Sequence, residues 1–205
     1  MIPGRFTTLL MAVALAIGSF LAPSARAETF IYYEDEMGLS ANPLHELSMS
    51  DVRLNELIHA SLWAPNYADQ PQPMLVKEAQ LDESGRMLTI TLKDVNWSDG
   101  KPVTADDVVF TILAYKNPES KSLDRNRWDF IMKAEAVDPK TVKLYFARTY
   151  REPPASQLYM KVIPQHAFKG TGIPRNHSFR TNPISAGPMV VREKDHKNWI
   201  LKRYD

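Results

Sequence analysis

The chain has 205 residues, with 25 lysines and arginines against 24 acidic side chains, a formal charge of +1 and no cysteine. The even charge gives no basis for nucleic acid or an anionic membrane as partner. The missing cysteine excludes disulfides, thiolate metal sites, a cysteine nucleophile and lipid attachment at an N-terminal cysteine. Stability therefore has to come from packing.

Residues 1–27 read as a secretory signal. Arg5 gives a positive start, Thr7 to Ala22 form an uncharged apolar stretch, and Ala25-Arg26-Ala27 has the small-x-small pattern of a cleavage site. The apolar core is short for a bilayer span of about 20 residues, so cleavage before Glu28, export and no lasting membrane insertion are expected. Arg5 and Arg26 lie in the signal, and the remaining 178 residues carry 23 basic and 24 acidic side chains, a formal charge of −1. That length suits one domain of ordinary size or two very small ones.

Fifteen prolines against eight glycines argue for many short elements joined by fixed turns and against a helical bundle. Thr29 to Tyr33, β-branched and aromatic, predicts a first strand. Ser50 is a candidate cap for a helix over Asp51 to Leu62, with Val52, Leu54, Leu57, Ile58 and Leu62 at helical spacing. Met74 to Leu81 and Met87 to Lys93 flank Glu83-Ser84-Gly85-Arg86, and Leu88, Ile90 and Leu92 alternate with Thr89, Thr91 and Lys93, the pattern of a hairpin with one buried face.

After Trp97-Ser98-Asp99-Gly100-Lys101-Pro102, Thr104 and Asp107 have capping-box spacing for a helix over Ala105 to Tyr115. A second hairpin is predicted at Ile131 to Val137 and Thr141 to Ala147, with Val142, Leu144 and Phe146 facing inward. Tyr150 to Arg180 is proline-rich and mostly irregular, with one short helical piece near Gln165 to Lys169. A third hairpin pairs Met189 to Glu193 with Trp199 to Arg203.

No catalytic constellation emerges, and no enzyme activity is expected. Ser98-Asp99-Gly100-Lys101 matches S-x-x-K, but that pattern needs both side chains on one helical turn, which Gly100 and Pro102 disfavour, and no K-T-G follows. His45-Glu46 lacks the second histidine of H-E-x-x-H, and histidines 45, 59, 166, 177 and 196 have no metal-ligand spacing, so no metal or cofactor is expected.

Four segments, read in order, resemble the family 5 solute-binding proteins, the peptide, dipeptide and nickel carriers of ABC importers. Residues 88–110 (LTITLKDVNWSDGKPVTADDVVF) are similar to the family's strand, W-S-D-G and P-V-T-A-x-D-V-V-F signature. Val137-Asp138-Pro139-Lys140-Thr141-Val142 resembles V-D-P-x-T-V, and Val162-Ile163-Pro164-Gln165-His166 resembles x-I-L-P-K-H. Asn182-Pro183-Ile184-Ser185-Ala186-Gly187-Pro188 resembles N-P-x-G-T-G-P-Y, with Ser185-Ala186 in place of Gly-Thr and Met189 in place of the aromatic.

The resemblance implies a mixed α/β (α+β) fold. Residues 28–205 would form an incomplete lobe 1 of a type II two-lobed periplasmic binding protein, including an inserted β-hairpin subdomain, with the second lobe absent. It implies a periplasmic carrier, not lipidated, that binds a small peptide or similar solute and delivers it to an ABC permease in the inner membrane. The alternative is a truncated, binding-incompetent remnant or interaction protein of the same family.

Candidate ligand residues lie in loops at element ends, where a rigid scaffold presents adaptable groups. The resemblance implies that the segment after the first strand, Met37, Gly38, Leu39 and Ser40, lines the cleft. The turn after the first helix offers Trp63, to cover apolar side chains, and Asn66, to bond a peptide main chain. Arg127 and Trp128 precede the second hairpin. The signature itself reads as structural, with Trp97 beneath the hairpin and Asp99-Gly100 as a turn.

Overall fold

The computed structural model describes residues 31–36, 38–195 and 197–204. The secretory segment, the start of the strand expected at Thr29 and the candidate Met37 lie outside the described residues, and Ile31 to Tyr33 carry no strand. By its contacts the chain divides after Tyr33.

From Glu34 onward the order is α1 (Met49–Ile58), β1 (Trp63–Pro65), β2 (Pro71–Pro73), β3 (Val76–Leu81), β4 (Met87–Leu92), α2 (Ala105–Lys116), β5 (Ile131–Asp138), β6 (Thr141–Phe146), β7 (Met189–Lys194) and β8 (Trp199–Arg203). Short 3-10 turns connect several of them. The two expected hairpins, β3–β4 and β5–β6, join edge to edge into one antiparallel sheet of order β3-β4-β6-β5. β4 and β6 meet in the middle, pairing Leu88 with Leu144 and Ile90 with Val142.

Alternation then does its work. Leu88, Ile90, Leu92, Val142, Leu144 and Phe146 are all buried on one face, each worth about 1.5–3 kcal/mol of transfer free energy. Helix α2 packs on β5 and β6, and its Val108, Ile112 and Tyr115 are buried in the same cluster as that face. A second side of α2 is covered by the proline-rich segment, where the Thr111 hydroxyl oxygen accepts the Ile163 N–H at 3.0 Å and Phe110 stacks on Phe168 with ring centroids 5.7 Å apart. Coverage from two sides explains why the helix is apolar nearly all round.

The N-terminus of α2 gathers distant segments, and its Asp107 accepts four hydrogen bonds from Trp97, Thr104 and Gln165. Its Oδ2 accepts the Trp97 indole N–H at 3.2 Å, the Thr104 N–H at 2.8 Å and the Thr104 hydroxyl at 3.1 Å, while Oδ1 accepts the Gln165 N–H at 2.8 Å. The Pro139 carbonyl of the β5–β6 turn accepts the Ala105 N–H at 2.9 Å. Ser98 and Ser185 bond each other twice, at 2.7 and 3.0 Å, and His166 pairs with Asp99 at 2.7 Å. Trp97 is fully buried, as its place beneath the hairpin requires.

A smaller cluster lies where Ala41, Leu54 and Ile58 meet Met189, Val191, Trp199 and Leu201 of the β7–β8 hairpin. The limits of α1 differ from those expected. Ser48 is the cap, its hydroxyl accepting the Asp51 N–H at 3.1 Å. The helix ends at Ile58 because the next residues are drawn into other pairings: Gly187 N–H bonds the Ile58 carbonyl at 3.0 Å, Val162 N–H the Ala60 carbonyl at 2.9 Å, and Ser61 bridges Lys161. Gly187 must be small there, since an added Cβ would lie 2.6–2.8 Å from backbone atoms of Ile58 and His59.

Candidate ligand-binding site

The segment Gly38–Asn42 is held on both flanks. From α1, Asp51 accepts the N–H groups of Leu39 at 2.6 Å, Ser40 at 2.8 Å and Leu47 at 2.9 Å. Asp51 is buried at the positive end of its own helix, a setting that suits an anion. Asn55, one turn on, donates to the Ser40 carbonyl at 2.9 Å. From the other flank, the Trp199 indole N–H donates to the Gly38 carbonyl at 2.8 Å. Arg180 donates its Nε–H to the Leu39 carbonyl at 2.9 Å and accepts the Ala41 N–H on its own carbonyl at 2.8 Å.

His59 closes the base of this arrangement. A carbonyl can only accept, so the 2.8 Å contact with the Ala41 oxygen places the ring proton on Nε2. The ring is fully buried and stacks on Phe179 at 5.7 Å. Burial lowers its pKa to about 4, the bond to Ala41 opposing the shift, and so the ring is neutral.

The candidate residues separate by depth. Gly38 and Ser40 are buried in the held segment, whereas the Leu39 side chain is 51% exposed. Trp63 is 6% exposed and belongs to the main core. Asn66 folds its side chain back on its own turn, accepting the N–H groups of Ala68 and Gln70 at 2.8 and 2.9 Å. Trp128 is buried against Tyr115, with ring centroids 5.3 Å apart, and the exposed Arg127 lies over its ring at 5.4 Å.

No hydrogen bond joins the three groups of candidates to one another among the described residues. Asp51, Arg180 and Trp199 were missed as site residues by sequence reasoning. Only Asp51 had a local signal, an acid three residues after Ser48.

Among the described residues, two surface depressions bear on the site. One, of about 270 Å³, runs along α2 between Val109, Phe110, Leu113 and Phe168. The other, of about 530 Å³, is open and polar and lies between Thr181-Asn182 and the β7 end, residues 191–195. Among the described residues no three histidine, aspartate or glutamate side chains gather as a metal site, and no helix is long and apolar enough to cross a membrane.

A mixed sheet-and-helix body with its signature knotted at one helix end defines part of a two-lobed binding protein. The family model described as bacterial extracellular solute-binding proteins, family 5 middle, matches residues 70–205, and the chain belongs to that family. The peptidoglycan-binding protein YepA of Agrobacterium fabrum is 26% identical over 165 residues, 73% of this chain and 26% of its own.

Among solved structures, NikZ of Campylobacter jejuni in complex with Ni(L-His) is 27% identical, covering 80% of this chain and 32% of its own with a TM-score of 0.68. MoaA of A. tumefaciens R10, in complex with mannopinic acid, is also 27% identical, covering 82% and 35% with a TM-score of 0.70. The chain thus spans about a quarter to a third of the length of these relatives.

Proposed function

We propose that this chain is part of the periplasmic substrate-binding component of an ABC importer, binding a peptide or similar small solute for delivery to an inner-membrane permease. The observation that carries the reading is the segment Gly38–Asn42, fixed by Asp51, Asn55, Arg180 and Trp199 while the Leu39 side chain stays exposed. Such fixation lowers the ordering cost of binding. In this reading Leu39, with Met37 two residues before it in sequence, Asn66 and Arg127 meet the ligand, and Gly38, Ser40, Trp63 and Trp128 hold the contacting groups in place.

Family membership supports a binding role and not catalysis, and supports an extracytoplasmic location. Mass spectrometry of a periplasmic extract is expected to find the mature N-terminus at Glu28; membrane-bound protein starting at Met1 alone would refute export with cleavage.

Two-lobed proteins close on a ligand through contacts from both lobes. The chain alone is therefore expected to bind weakly, with a Kd of about 1 mM or above, since losing a few contacts of about 1.4 kcal/mol each costs a factor of ten apiece. Calorimetry with a mixed di- to pentapeptide library tests this, and micromolar binding would show that one lobe suffices. Peptide-induced shifts at residues 38–40, followed by NMR at millimolar ligand, test whether this segment meets the ligand.

A further inference from the structure

Arg180 is tied to the segment read above as ligand-facing by both backbone and side chain: its carbonyl takes the Ala41 N–H and its Nε–H goes to the Leu39 carbonyl. With Nε engaged, the plane of the guanidinium is set. Its two terminal Nη groups find no acceptor among the described residues on this half-buried side chain. The nearby acids are occupied. Asp51 spends both oxygens on three backbone N–H groups, and Glu34 pairs with Arg53. A guanidinium fixed in orientation, with neither Nη group committed among the described residues, can exchange water for the two oxygens of an anion without breaking an internal bond.

The surroundings favour a small anion. The open cleft of about 530 Å³ begins at Thr181 and Asn182, which directly follow Arg180, and its far wall carries Arg192 and Lys194. Of the acids in that wall, Asp195 turns its carboxylate to the N–H groups of Lys197 and Asn198, at 2.6 and 2.7 Å, leaving Glu193 as the opposing charge. The Lys194 ammonium sits 4.8 Å over the Trp199 ring whose indole holds Gly38. Arg180 and Lys194 therefore place two cations on the flank of the 38–40 segment opposite α1.

We propose that Arg180 is a specificity-determining residue that receives a carboxylate of the solute through its two Nη groups, so that the preferred ligands are small carboxylic acids. This rests on the reading of residues 38–40 as facing the ligand. A planar fork binds a carboxylate through two parallel N–H···O bonds, a geometry that a lysine ammonium does not reproduce. The carboxylate is supplied by a peptide C-terminus or by a non-peptide acid, which share this chemistry.

The test is an NMR titration of the full chain, observing backbone amides and the Arg180 Nε–H. The probes are a random tripeptide mixture as free acids, the same mixture as C-terminal amides, and gluconate. The free acids are expected to shift Leu39, Ser40 and the Arg180 Nε–H, with affinity about tenfold above that of the amides.

Arg180→Gln is expected to erase that preference. Arg180→Lys, which keeps the charge, is expected to restore only part of it, with unchanged ligand-free Leu39 and Ala41 amides reporting an intact segment. Response to gluconate equal to that of the tripeptide acids assigns a general carboxylate subsite, and response to tripeptide acids alone assigns a peptide C-terminus. Equal shifts by acids and amides, unaltered in Arg180→Gln, overturn the role of Arg180 while leaving residues 38–40 as ligand-facing. No shift at residues 38–40 with any probe overturns both.

Discussion

Replacing Asp107 with asparagine tests the view that the α2 N-terminus holds the fold together. Four donors meet this buried carboxylate, three on Oδ2 and the Gln165 N–H on Oδ1. An asparagine of the same shape has one oxygen, and it will keep that oxygen toward Trp97 and Thr104, where three donors are satisfied. Its NH₂ then faces the Gln165 N–H, a buried donor left unsatisfied at a cost of about 1–3 kcal/mol.

The three retained bonds also lose their charge assistance, so the expected total for Asp107→Asn is about 2–4 kcal/mol. Asp107→Ala leaves all four donors without the acceptor and is expected to unfold a domain of ordinary stability, about 5–15 kcal/mol, at a much lower urea concentration or outright. Urea denaturation followed by tryptophan fluorescence measures both, and Trp97 reports directly on the site. A change below about 0.5 kcal/mol for Asp107→Asn, the range of ordinary surface substitutions, would refute the argument that this carboxylate joins Trp97, Thr104 and Gln165.

Gly187→Ala drives a methyl group into the backbone of Ile58 and His59, which cannot move aside; a loss of about 2–3 kcal/mol in urea unfolding is expected, and a neutral result would mean that residues 185–188 do not press on the end of α1. The stability of the chain is expected to fall on acidification through His59. Its folded pKa of about 4 lies below the ordinary 6.5, so the unfolded chain takes up the proton first, and stability present above pH 6.5 is lost progressively toward pH 4, by roughly 3 kcal/mol in all.

Burial lowers His45 in the same direction and raises Glu46 in the opposite one, whose contribution is present at low pH and lost on going up. Chemical denaturation at several pH values should therefore show a shallower acid loss in His59→Gln, and an unchanged slope would remove His59 as its cause.

Much of the architecture was legible because its cause is local. Alternation in Met87 to Leu92 and Thr141 to Phe146 fixes which face is buried whatever the partner, and the spacing of Thr104 and Asp107 fixes where α2 starts. The family signature was legible too, and the structure explains its composition: the tryptophan and the capping threonine both donate to the aspartate, all within ten residues.

The limits of α1 were not legible, because Ser48 and Ser50 have the same local capping chemistry. The choice fell to Asp51, whose carboxylate is drawn toward Leu39, Ser40 and Leu47, and to Gly187, which takes the Ile58 carbonyl. The site was legible least of all. Aromatic residues in loops look alike in sequence whether they face solvent or core, and only packing against Tyr115 and the main cluster buries Trp128 and Trp63.

The sequence by itself determined the three hairpins from β3 onward, the α2 start, the absence of thiol chemistry and the family, since each follows from residue type and short spacing. Only the tertiary structure decided that β4 and β6 join two hairpins into one sheet, and that Arg180 and Trp199 hold the segment beginning at Gly38 from 141 and 161 residues away. Pairings over such separations are set by which buried surfaces and hydrogen-bonding groups can be satisfied together, a property of the whole packed chain and not of any window along it.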